Sequence, residues 1–140
     1  MKTFKISHIG IAVENLAEAL ALWEKTLGLD AGVTEAVPSM SLNVAKLRLG
    51  EADVELLEST DPEGPVGRFI ATRGPGIHHI CAEVEDLVGA LAELKSAGYR
   101  LLDEEPRIGA GGAKIAFVHP KSCGGVLLEL TERRRCPSSK

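Results

Sequence analysis

The segment Ile6-Ser7-His8-Ile9-Gly10-Ile11-Ala12-Val13-Glu14-Asn15-Leu16-Ala17-Glu18-Ala19-Leu20 is written a second time as Ile77-His78-His79-Ile80-Cys81-Ala82-Glu83-Val84-Glu85-Asp86-Leu87-Val88-Gly89-Ala90-Leu91. The copies run at a constant offset of 71 residues. Each alternates apolar and polar residues as a strand does, then turns to helical spacing behind Asn15 or Asp86, residue types that cap helix N-termini. His8 and His79 hold the same place in the two copies. If two such halves pack about a pseudo-two-fold axis, the imidazoles can meet, a common start for a metal site.

Outward from the repeat, the two halves keep one order of elements. In the first, a strand over Phe4 to Val13 leads to a helix capped by Asn15, with Glu18 three residues on. Leu16, Ala19, Leu20, Trp23 and Leu27 form its apolar stripe and Gly28 its stop. Strands are expected at about 31–37, 42–49 and 52–58, with a turn at Gly50-Glu51. In the second half, a strand over Ile77 to Val84 leads to a helix from Asp86 to Gly98. Strands near 100–103, 113–118 and 125–131 follow, with turns at Gly109–Gly112 and Gly124-Gly125. Asp61-Pro62-Glu63-Gly64-Pro65, a short helix around Val66–Thr72 and Gly74-Pro75-Gly76 connect the halves.

One βαβββ unit leaves a sheet face uncovered, so two should pair and enclose a cleft. The expected fold is α+β: two tandem βαβββ modules in a single domain over residues 1–140. Module 1 spans about 4–58, the linker about 59–75, module 2 about 76–132 and a tail 133–140. The competing reading is a ferredoxin-like duplication whose histidines are satisfied core residues. A histidine at both equivalent positions disfavours it.

Composition narrows the function. Apolar residues make up 44% and charged residues 26%, the balance of a globular protein. With 4% aromatics and a net charge of −4, there is no stacking platform or basic face for nucleic acid. Arg133-Arg134-Arg135 is a short terminal cluster. Cys81, Cys123 and Cys136 lack C-x-x-C spacing, and no apolar run reaches membrane length. With Met1-Lys2-Thr3 running straight into a strand pattern, a cytoplasmic protein without membrane contact is expected.

The module ends also match. Val54-Glu55-Leu56-Leu57-Glu58 closes the first and Leu127-Leu128-Glu129-Leu130-Thr131 the second. A carboxylate among such neighbours is costly to bury unless paired or metal-bound. A lone glutamate would be read as facing solvent, but two in register with two histidines suggest a cage of His8, Glu55, His79 and Glu129. Imidazole and carboxylate donors suit a borderline divalent ion such as Co, Ni, Mn or Zn. Without sulfur the set does not read as structural zinc. Open coordination positions would hold two neighbouring substrate oxygens.

The duplicated βαβββ pattern with these ligands resembles the vicinal oxygen chelate superfamily. Within it, residues Ile6 to Glu132 are similar to the methylmalonyl-CoA epimerase family. The similarity is carried by His8-Ile9-Gly10-Ile11-Ala12-Val13, Glu55-Leu56-Leu57-Glu58, Gly76-Ile77-His78-His79-Ile80 and Pro106-Arg107-Ile108-Gly109-Ala110-Gly111-Gly112. Phe117-Val118-His119-Pro120-Lys121 and Gly124-Gly125-Val126-Leu127-Leu128-Glu129-Leu130 complete it, and these last stretches separate it from glyoxalase I. The resemblance implies inversion at the α-carbon of a CoA thioester, a homodimer, and Glu129 as both ligand and acid/base. Some family members carry a second carboxylate where this chain has Val44. Lys46, two residues on, is the substitute at hand. Lys114, His119 and Lys121 are candidates for meeting acyl or CoA oxygens, and Gly109–Gly112 is a flexible turn at the cleft mouth. His78 should face away from the site, and Cys81 and Cys123 read as packing residues. A glyoxalase I-like lyase and a non-catalytic ligand-binding protein of the same fold remain the alternatives.

Overall fold

Alternation carries each copy of the repeat into a strand, and the cap residues begin the helices where the sequence places them. The computed structural model describes residues 1–30 and 32–134, so Arg135, Cys136 and the rest of the tail lie outside it. The chain runs β1 (Thr3–Val13), α1 (Leu16–Leu27), β2 (Val33–Val37), β3 (Leu42–Leu49), β4 (Ala52–Ser59), α2 (Pro65–Arg73), β5 (Gly76–Val84), α3 (Leu87–Ser96), β6 (Arg107–Ile108), β7 (Lys114–Val118) and β8 (Leu128–Glu132). No helix among these residues is long and apolar enough to cross a membrane.

All eight strands join one sheet in the order β2-β3-β4-β1-β5-β8-β7-β6. Each half thus contributes four strands in the mirror order of the other, the arrangement expected of a pseudo-two-fold axis between β1 and β5. These two copies of the repeat pair antiparallel at the centre, while β1 runs parallel to β4 and β5 parallel to β8.

The repeat extends to the helix caps. Asn15 accepts a bond from the Glu18 N–H at 2.9 Å and Asp86 one from Gly89 at 3.0 Å. The strand that ends each module supplies a second cap. Glu58 accepts from the Leu16 N–H at 2.9 Å and Glu132 from Leu87 at 3.1 Å, placing a negative charge at each positive helix end. Gly28, at φ 64°, closes α1 in the left-handed conformation.

One face of the sheet lies under α1 and α3. Leu16, Ala19, Leu20 and Trp23 pack on Ala45, Leu47, Val54 and Leu56. Leu87, Ala90 and Leu91 pack on Ala116, Val118 and Leu130. Burial of side chains such as Leu87 and Leu91 contributes roughly 1.5–3 kcal/mol each. On the opposite face, the α2 residue Val66 covers Ala12, Val44 and Leu57, and the rest is left for the cleft. The sheet edges curl towards each other across it: the Gly111 N–H donates to both oxygens of Glu35 on β2, at 2.9 and 3.1 Å.

Module 2 departs from expectation at two strands. The strand expected near 100–103 is a single bridge, Leu101 to Val118, and the edge strand forms instead at Arg107–Ile108. The Asp103 carboxylate accepts the Phe117 N–H at 2.9 Å, removing a donor that a longer ladder would need. The strand expected from 125 begins at Leu128, because Gly124 and Gly125 sit at φ 65° and 95°, outside extended space.

Candidate metal centre

Register brings the four candidate ligands together. Across the β1/β5 ladder His8 opposes Cys81 and Gly10 opposes His79. The parallel ladders set Glu55 beside Gly10 and Glu129 beside Cys81, which are equivalent positions of the repeat. His8, Glu55, His79 and Glu129 are 4–7% exposed; with Thr131 they are the buried polar side chains of the described residues.

Three of them converge on one point. The Nε2 atoms of His8 and His79 are 3.1 Å apart, and Glu129 Oε1 lies 2.9 Å from the first and 2.8 Å from the second. Among the described residues, these three form the group with metal-holding geometry. Glu55 stands apart from that point. Its Oε2 is 3.2 Å from His8 Nδ1, the other nitrogen of the ring. A carboxylate there fixes the ring and favours the tautomer whose Nε2 lone pair is free.

The charges of the cluster are mutually sustained. Burial would raise the Glu129 pKa, but the bonds from His79 and His8 outweigh it and hold the carboxyl at about 2. Burial would lower that of His8, yet Glu129 and Glu55 push it above its ordinary value. Glu55 is itself raised, chiefly by burial. Two imidazoles and a carboxylate, withdrawn from water and aimed at one point, fit a borderline divalent ion by donor chemistry. Cys81 is fully buried, and burial and the two carboxylates push its thiol well above the usual range, so it packs rather than reacts.

Two hollows meet at the centre. One of about 100 Å³ is lined by all four residues and by Lys46. The other, of about 370 Å³, is walled by Met40, Val66, Leu102 and Phe117, with Arg107 at its side. Met40, Leu42, Leu57, His79 and Phe117 border both.

A model of the Glyoxalase/Bleomycin resistance protein/Dioxygenase superfamily matches residues 7–117. The chain belongs to this superfamily. It is 38% identical over 130 residues to the ethylmalonyl-CoA/methylmalonyl-CoA epimerase of Cereibacter sphaeroides, covering 91% of this chain and 97% of that one. The structure of methylmalonyl-CoA epimerase from Mycobacterium tuberculosis superposes with a TM-score of 0.90 at 32% identity, covering 95% of this chain and 90% of that one. A methylmalonyl-CoA epimerase solved with methylmalonyl-CoA and ammonium superposes equally well, TM-score 0.90 at 34% identity over 94% and 95% of the two chains.

Within this superfamily fold, the three residues expected to meet substrate are not among those lining the two hollows. Lys114 is exposed at the start of β7, 3.9 Å from Glu132. His119 sits beyond the far end of β7, where its Nδ1 accepts the Lys121 N–H at 3.0 Å. None of the three lines either hollow; Lys46 and Arg107 do.

Two residues of the centre escape the sequence reading. Gly10 faces the His79 ring so closely that a Cβ there would lie 2.6 Å from Nδ1 and 2.7 Å from Nε2. Glycine inside a strand signals such close approach, and the repeat marks it by setting Cys81 in the other copy. The second is His78, expected to face away. Gly10 pairs with His79 and the next residue, Ile11, with Ile77, so His78 is the extra residue of a bulge. Its Nδ1 lies 2.9 Å from His79 Nδ1, and its ring stands edge-on to Phe69 at 5.0 Å. Burial, then the charge of His79, lowers its pKa to about 4, so it is neutral. Alternation carries no signal for a bulge.

Proposed function

We propose that this protein is a metal-dependent methylmalonyl-CoA epimerase, interconverting the 2R and 2S forms by taking the α-proton from one face and returning one to the other. The observation that carries the reading is the buried convergence of His8 Nε2, His79 Nε2 and Glu129 Oε1, on a fold shared with epimerases. A bound Co, Ni, Mn or Zn ion would neutralise the charge that develops on the substrate oxygens as the proton leaves. His8, His79 and Glu129 would hold it, with Glu55 steadying His8.

Glu129 meets both rings through Oε1, leaving Oε2 to take up the α-proton. The bonds from His79 and His8 keep this carboxyl ionised, the form that can accept a proton. Inversion needs a second proton carrier on the opposite face. Val44 has none to offer. Lys46, on the same face of β3 and lining the same hollow, is the group we assign to it. The apolar hollow beside the centre has the size to receive the acyl-thioester arm. A homodimer in the cytoplasm is the expected working form, checked for assembly by light scattering.

The test is deuterium uptake from heavy water into methylmalonyl-CoA by metal-loaded protein, before and after chelation. Exchange lost on chelation and restored by metal is the expected result. No exchange by the loaded protein refutes the epimerase. Turnover of a methylglyoxal–glutathione hemithioacetal would instead favour a glyoxalase-like lyase, and binding without turnover of either a non-catalytic role.

A further inference from the structure

Besides the slip at His78, the β1/β5 ladder slips between Thr3 and Lys5 and again between Ile6 and His8, and the last of these bears on the centre. Ile6 pairs with Ala82 and His8 with Cys81, so Ser7 is the extra residue on its strand. Ser7 and His78 are equivalent in the repeat, each immediately before a histidine of the centre. A regular strand would turn both away. The bulge instead brings each to the outer nitrogen of the histidine that follows: Ser7 Oγ is 3.2 Å from His8 Nδ1, and His78 Nδ1 is 2.9 Å from His79 Nδ1. Two of the ladder's three slips therefore fall at equivalent positions of the repeat and have the same outcome.

We infer that His78 is a positioning residue for the metal centre, turned in by this bulge to hold the His79 ring and set its tautomer. His8 has two partners on Nδ1, Ser7 and Glu55. His79 has His78 there, and Phe69 backs the His78 ring from α2. To offer an Nε2 lone pair to an ion, His79 carries its proton on Nδ1 and donates it to His78 Nδ1. Partners of this kind change metal affinity by about 10- to 100-fold when removed.

The inference rests on the metal reading above, and the experiment separates the two. Zn(II) and Co(II) affinities are measured by chelator competition for the wild type, His79→Ala, His78→Leu and His78→Asn. Leucine keeps bulk against Phe69 without a polar atom, and the asparagine amide restores one near the Nδ1 position. Nitrogen resonances of the Zn-loaded protein report the His79 tautomer independently of turnover. We expect His78→Leu to lose about 10- to 100-fold in affinity, His78→Asn to recover most of it, and the wild type to show a slowly exchanging proton on His79 Nδ1. Ser7→Ala should lose less, because Glu55 remains on the same nitrogen. Wild-type affinity in His78→Leu with an unchanged His79 tautomer overturns this inference alone. If the wild type binds neither ion, or His79→Ala binds as well as the wild type, the metal reading fails and this inference with it.

Discussion

Replacing Gly10 by alanine adds one methyl group and tests the geometry of the centre directly. The conformational contribution favours the variant. No positive φ is required at Gly10, and glycine within a strand costs roughly 0.5–1 kcal/mol relative to alanine. The steric contribution opposes it. All three nearest atoms belong to the His79 ring, with Nδ1 at 2.6 Å and Nε2 at 2.7 Å from the new carbon. That ring is held by Glu129 at 2.8 Å and His78 at 2.9 Å, so it cannot swing without breaking a bond. Overpacking of this kind costs about 1–3 kcal/mol, which outweighs the backbone gain. Displacing a ligand nitrogen should reduce metal affinity further, by about 10- to 100-fold as judged from orienting residues.

Thermal unfolding with and without Zn(II) reads both effects. At a metal concentration of about 100 times the wild-type Kd, binding stabilises the wild type by about 2.7 kcal/mol. After a loss of about 100-fold in affinity the same concentration stabilises by only about 0.4 kcal/mol. Gly76→Ala is the control, since a Cβ there meets nothing within 4 Å and should leave metal binding untouched. Gly10→Ala retaining the full metal-dependent stabilisation would show that His79 is not held where this reasoning requires.

Glu129→Gln should abolish deuterium exchange with the fold retained, as checked by circular dichroism; near wild-type exchange removes Glu129 from its proton-transfer role. Lys46→Met should stop inversion while leaving exchange at the face served by Glu129, and full inversion by the variant would send the search for the second carrier elsewhere. His8→Ala and His79→Ala should each lower bound metal by elemental analysis, and unchanged stoichiometry refutes the proposed ligand set. For the chelated protein, stability should fall in both directions of pH. The Glu129 contribution, from a pKa lowered from 4.5 to about 2, is present above 4.5 and lost as pH falls between those values. The His8 contribution, from a pKa raised above 6.5, is complete below 6.5 and lost as pH rises through the folded value. Removal of the acid-side decline by Glu129→Gln is the expected signature in unfolding curves, and an unaltered acid limb contradicts it.

Much of the fold is legible because it is periodic. Alternation marks β1 and β5, Asn15 and Asp86 mark the helix starts, and the repeat marks which strands are equivalent. The offset of the two histidines and the matching module ends also single out Glu55 and Glu129, because equivalent strands in equivalent registers carry equivalent side chains to one face. The strand at Arg107–Ile108 is less legible, since it depends on the Asp103 carboxylate occupying the Phe117 amide rather than on any apolar pattern. Lys114, at the start of β7, and His119 and Lys121, beyond its far end, line neither hollow, and a charge beside a shared motif does not say which side of the strand it will face.

By itself, then, the sequence determined a duplicated βαβββ chain with a histidine and a carboxylate at matched places in each half, because side-chain periodicity and helix capping are local properties of the chain. Only the tertiary structure decided where each group sits relative to the others. It sets Glu129 between the two Nε2 atoms and Glu55 on the outer nitrogen of His8. It also uses two bulges to turn Ser7 and His78 inward. These assignments depend on how two strands distant in sequence slip against each other, and a one-residue slip, which reverses the face a side chain points to, leaves no trace in local pattern.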